Sequence, residues 1–81
     1  MGYHKNEIHR GKVGQISKII EEFEELVDAR EQGDKIMQIC ELSDLVGAIE
    51  EFALVEFNLT LVDLIRFSDK TKQAFKEGTR K

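Results

Sequence analysis

An all-α fold, an antiparallel bundle of about three helices per chain completed by oligomerisation, is predicted by three observations. The 81 residues contain no proline and no tryptophan, and apolar residues make up 41% of them, which suits uninterrupted helices better than a turn-rich sheet. Apolar side chains recur at helical spacing along three stretches. A chain this short buries only about 60% of its unfolded surface, so helices of such length call for a partner.

The first 12 residues lack periodicity and read as an N-terminal arm. Residues 13–32 form the first predicted helix, with Ile16, Ile19, Ile20, Phe23, Leu26 and Val27 on one apolar stripe and Gly33 as its C-cap. Lys18, Glu22, Glu25 and Ala29 make a second stripe beside it. Asp34 is an acceptable N-cap for a second helix over residues 35–57. There Ile39, Leu42, Leu45, Val46, Ile49, Phe52 and Ala53 cover a wide apolar arc, and Glu41 and Asp44 lie in a neighbouring sector with Met37, Ala48 and Val55. Thr60 and Asp63 form a capping-box variant that opens a third helix over residues 60–77, whose packing face is Leu61, Leu64, Ile65, Phe67, Thr71 and Phe75. Gly78 ends it. The whole chain, 1–81, reads as one domain.

Composition excludes several function classes. No apolar run approaches the roughly 18 residues of a membrane span, and the polar start lacks a signal peptide's apolar core, so no membrane partner and a cytoplasmic location are expected. Cys40 is the one cysteine, which leaves no disulfide or cysteine zinc site and assigns it to packing. Both histidines precede the first helix, away from the Glu-x-x-His spacing of a di-iron bundle, and no EF-hand loop is present.

The net charge of −4 conceals a division along the chain. Between Glu21 and Glu56 there are twelve acids against two bases, whereas residues 66–81 carry six bases against two acids. That arrangement suits a polyphosphate held through a metal ion, with carboxylates on the cation and Lys or Arg on phosphate oxygens. Nucleic acid is not expected as a partner, because no continuous basic face interleaved with aromatics is present.

The acids themselves are spaced for chemistry. In Glu22-x-x-Glu25 and Glu41-x-x-Asp44, residues three apart lie on one helical face with Cβ atoms about 5–6 Å apart, so each pair can converge on one cation. Two facing pairs would offer a hard ion four carboxylates and leave positions for phosphate oxygens and water. Mg²⁺ is the expected cofactor, with Mn²⁺ as a substitute. Lys18, on the stripe of the first pair, is a candidate for phosphate oxygens or for an i, i+4 ion pair with Glu22. Lys72 and Arg80 are further phosphate candidates, from the same or a neighbouring subunit.

The run Glu21-Glu22-Phe23-Glu24-Glu25 followed by Glu41-Leu42-Ser43-Asp44 resembles the signature of the MazG-like all-α nucleoside triphosphate pyrophosphatases. His9-Arg10-Gly11, Gly14, Ser17-Lys18, Asp28-Ala29, Gln32-Gly33, Asn58-Leu59-Thr60-Leu61 and Thr71-Lys72-x-Ala74-Phe75-x-x-Gly78 extend the likeness to the compact phage and bacterial form of that family. The resemblance implies a dimer or tetramer and Mg²⁺ between helices. It also implies hydrolysis of a nucleoside triphosphate to monophosphate and pyrophosphate, in the host cytoplasm if the chain is phage-encoded. Glu22, Glu25, Glu41 and Asp44 match its metal positions, with Glu22 or Glu25 accepting the water's proton; Glu21 matches the preceding glutamate. Ser43, where many members have Gly, and the segment from Thr71 to Arg80 depart from the pattern. The competing reading is a metal-free helical interaction module in which the acids are surface charge or intersubunit ion pairs.

Overall fold

A computed structural model describes residues 7–77. They form three helices, α1 (Ile16–Gln32), α2 (Lys35–Phe57) and α3 (Leu61–Lys76), and among the described residues there is no strand.

Local chemistry sets each boundary. The first helix starts three residues later than its periodicity suggests, at Ile16 instead of Val13. Gly14 has φ +86°, which no helix accommodates, and it is buried with its Cα facing Val55 of α2. Lys12 to Gln15 turn instead, the Gln15 N–H donating to the Lys12 carbonyl at 3.0 Å. At the other end Gly33 takes the left-handed conformation, and the Asp34 N–H reaches back to the Ala29 carbonyl at 3.3 Å, a Schellman-type closure. Asp34 then caps α2, its Oδ1 accepting the Met37 N–H at 2.9 Å. Asn58, at φ 55°, closes α2 in the same left-handed way, with the Leu59 N–H on the Ala53 carbonyl at 3.2 Å. The predicted capping box is present: Thr60 Oγ1 accepts the Asp63 N–H at 3.2 Å and Asp63 Oδ2 accepts the Thr60 N–H at 2.9 Å. Thr60 and Glu77 are therefore caps, one residue outside α3 at each end.

Packing departs from the sequence pattern. The two-residue connection folds α1 and α2 into a helical hairpin, and α3 touches α2 but makes no contact with α1. The apolar stripe of α1 is not the face turned to α2: Ile20 and Phe23 are 52% and 54% exposed, and Ile16 and Val27 are also open. Glu21, Glu22, Asp28 and Ala29 are the buried residues of that helix. In α2 the buried positions are Glu41, Ala48 and Ala53, while Ile39, Leu42 and Val46 are exposed. Ile65, Phe67 and Phe75 of the expected α3 packing face are exposed as well. Cys40 is exposed instead of packed, about 100° round the helix from buried Glu41.

The buried apolar residues of the described chain are thus three alanines. Its accessible surface is 6476 Å², against about 5000 Å² for a compact monomer of this mass, and its radius of gyration is 15.1 Å against about 12 Å. With no buried residue of its own, α3 depends on its cap. Thr60→Ala is expected to cost about 1 kcal/mol in a urea titration followed by circular dichroism, as loss of an N-cap does elsewhere.

Candidate metal centre between α1 and α2

Register follows from the short turn. Glu25 lies about 10 Å along α1 from its last residue and Glu41 about 9 Å along α2 from its first, at 1.5 Å per residue. Glu22 and Asp44 sit about 15 Å and about 13 Å from the same ends. An antiparallel hairpin joined by Gly33 and Asp34 therefore sets Glu25 opposite Glu41 and Glu22 opposite Asp44.

The geometry bears this out. One carboxylate oxygen each from Glu25, Glu41 and Asp44 lie within 4.8 Å of one another, as do one each from Glu21, Glu22 and Glu25. Glu22 is hydrogen-bonded to Glu25 and feels the charge of Asp44. Glu21, Glu22 and Glu41 are buried, Glu25 is half-buried and Asp44 is exposed, so the cluster runs from the hairpin interior to water. Glu25 belongs to both groups and links Glu22 on its own helix with Glu41 and Asp44 on the other.

Their electrostatics are those of like charges held close. Burial pushes the Glu22 carboxyl up, and its hydrogen bond to Glu25, the Glu25 charge and the Asp44 charge add to that, giving about 7 against an ordinary 4.5. Lys18 offsets only part of the rise. Glu21, one residue earlier, behaves oppositely. Burial raises it too, but the Gly11 N–H, the Lys18 ammonium and the charge of Arg10 together outweigh burial and hold it below the ordinary value.

The basic candidates are placed less uniformly. Lys18 is half-buried and its ammonium lies 3.2 Å from Glu21 Oε2, so its ion partner is Glu21 at i+3 and not Glu22 at i+4. Lys72 is exposed on α3, which contacts α2 and not α1. Arg80 and Gly78 lie outside the described residues.

Two residues of this region that the sequence named only through the family resemblance are buried in the structure. Asp28 is 2% exposed, and its Oδ2 accepts from Gln32 Nε2 at 2.8 Å. Glu21 proves to be buried and tied to the arm. The available signal was the spacing Glu21, Glu25, Asp28, Gln32, a polar stripe as regular as the apolar one. Compared with protein-family models, with curated proteins and with solved structures, the chain matches none.

The raised Glu22 carboxyl gives a pH dependence whose sign is fixed. Between about pH 4.5 and about pH 7 the folded chain keeps a proton that the unfolded chain has released. Stability accordingly falls with rising pH across that window and levels off above it. In chelator-treated protein the urea midpoint is expected to drop from pH 5 to pH 7.5, and Glu22→Gln is expected to flatten that slope.

Proposed function

We propose that the chain is a Mg²⁺-dependent nucleoside triphosphate pyrophosphohydrolase that cuts between the α and β phosphates. The observation that supports this reading is the meeting of two carboxylate pairs from two helices at the hairpin interface. The donor set fits the ion: all oxygen, linked through Glu25, which lies within reach of Glu22 on its own helix and of Glu41 and Asp44 on the other, and carrying more like charge than a buried site tolerates without a proton or a cation. Glu22, Glu25, Glu41 and Asp44 are the residues that would hold Mg²⁺, or Mn²⁺ in its place. Bound there, the ion would supply neutralisation of phosphate charge and acidification of a coordinated water.

The chain's own residues supply the rest. A hydrogen bond between Glu22 and Glu25 requires a proton on one of them, so it is whichever of the two is ionised that would accept the proton of the attacking water. Asp44 is the exposed member and opens the cluster to an incoming triphosphate. Lys18 reaches phosphate oxygens only by sharing its ammonium with Glu21. Lys72, exposed on α3, and Arg80 are the further candidates for phosphate oxygens, from the same chain or a second copy. The open apolar stripes of α1 and α2 support that arrangement, a homodimer or homotetramer in which Ile20, Phe23, Ile39 and Leu42 find cover. The same activity would place the protein among enzymes that adjust nucleotide pools.

A helical assembly module without catalysis would share those apolar stripes. It gives no reason to bury Glu22 and Glu41 beside two further carboxylates, an arrangement that costs several kcal/mol unless something compensates.

Pyrophosphate release from the common dNTPs and NTPs, with and without Mg²⁺, tests the reading. The parent is expected to release pyrophosphate only with the ion, and Glu41→Gln or Asp44→Asn is expected to lower the rate by at least about 100-fold. A rise in Tm on adding Mg²⁺, lost in both variants, is expected alongside. Folded parent protein that gains no stability from Mg²⁺ and releases no pyrophosphate from any nucleotide would sink the proposal in favour of the assembly module. Oligomerisation has its own measurement: sedimentation of the parent at a multiple of the 9.3 kDa chain, shifted towards monomer by Phe23→Lys.

A further inference from the structure

Residues preceding α1 are tied to it at two points. The Gly11 N–H donates to Glu21 Oε1 at 2.7 Å, and the Lys12 N–H donates to Ser17 Oγ at 3.1 Å. The other Glu21 oxygen, Oε2, accepts from the Lys18 ammonium at 3.2 Å. Both oxygens of this buried carboxylate therefore face donors, whereas Glu22 and Glu25 face other acids. A cation at Glu21 would have to share each oxygen with a donor already in place, Gly11 on one and Lys18 on the other.

Gly11 makes the contact specific. A Cβ built there would collide with the carbonyl oxygen and carbon of Ser17 and with the backbone nitrogen of Lys18. All three are helix backbone and have no rotamer by which to yield. Any side chain at position 11 would force the arm off α1. Arg10 is bonded directly to Gly11 and is exposed, so the clasp fixes the point from which its side chain leaves the backbone, about 3.8 Å of Cα spacing away, and its charge acts on Glu21. Glu21 also has an oxygen within 4.8 Å of oxygens of Glu22 and Glu25, which puts the clasp at the edge of the carboxylate cluster.

We propose that Glu21 is a positioning residue and not a metal ligand: it clasps the arm through Gly11 and thereby holds Arg10 at the edge of the cluster as a seat for polyphosphate oxygens. A planar guanidinium held at one end suits that task, since it can grip two phosphate oxygens side by side. The choice of polyphosphate as ligand rests on the function proposed above; the clasp itself does not.

Three measurements on the full chain decide it. In metal-free protein the Gly11 amide is expected to exchange slowly with solvent, at least about tenfold faster in Glu21→Ala, and slowly again in Glu21→Gln, whose amide oxygen still accepts the bond. Mn²⁺ affinity is expected to stay within about twofold in Glu21→Gln while Glu41→Gln loses at least about tenfold. Inorganic triphosphate, titrated calorimetrically in Mn²⁺ buffer, is expected to bind about tenfold more weakly to Glu21→Ala, Gly11→Ala and Arg10→Ala, with Glu21→Gln restoring affinity. Loss of Mn²⁺ binding in Glu21→Gln to the degree seen in Glu41→Gln would make Glu21 a ligand and overturn the proposal. Equal Gly11 exchange in the parent and Glu21→Ala, or unchanged triphosphate affinity in Arg10→Ala, would overturn it too. A parent that binds triphosphate through Arg10 but releases no pyrophosphate would remove the hydrolase reading and leave the clasp standing.

Discussion

Carboxylates buried against one another in the α1–α2 interface set the terms for the rest of this chain. Like charges a few ångströms apart and away from water repel strongly, and they persist only if a proton, a cation or a set of hydrogen-bond donors offsets them. The structure uses two of these remedies side by side. Donors from Gly11 and Lys18 keep Glu21 ionised, while Glu22 leans on Glu25 and retains a proton up to about pH 7. Neighbours in sequence thus differ in protonation because one points at N–H groups and the other at acids.

Turning that polar stripe inward has a geometric consequence. A helix presents its faces at fixed angles, so when Glu21, Glu22, Asp28 and Ala29 of α1 are turned inward, Ile16, Ile20, Phe23 and Val27 must point elsewhere. Only alanines are buried among the apolar residues described, which lets the two backbones approach and brings acids of opposite helices within reach. A hairpin organised around charge leaves its hydrophobic capital unspent. Under the proposed reading that surface is covered by further copies of the chain.

Much of the architecture was legible because it is local. Asp34, Thr60 with Asp63, and Gly33 act through hydrogen bonds and dihedral preferences within a few residues, and each did what its residue type dictates. The approach of Glu25 to Glu41 was legible as well, since a two-residue turn and a fixed rise leave little choice of register. What periodicity could not decide was which of two equally regular stripes of α1 faces inward. A hydrophobic pattern identifies a face that wants cover, and says nothing of whether the cover comes from the same chain. For the same reason Ile65, Phe67 and Phe75 read as a packing face on a helix that buries no residue. Gly14 hid the true start of α1, because positive φ is a property of the turn and glycine alone does not announce it.

The carboxylates also constrain each other's identity in a way that bears on chemistry. Glu22 and Asp44 face one another from opposite helices, and Glu41 is the only one of the α2 pair to be buried. Exposed Asp44 is reached first by a ligand from solvent, and Glu22 and Glu41 lie buried behind it. A cation entering such a gradient would gain most at the inner acids and would release the Glu22 proton as it bound, so that its affinity should climb between pH 6 and pH 8 and flatten above. That dependence distinguishes a site closed by its own repulsion from a patch of solvated surface acids, whose carboxylates are ionised throughout that range and would bind the ion equally weakly at either end.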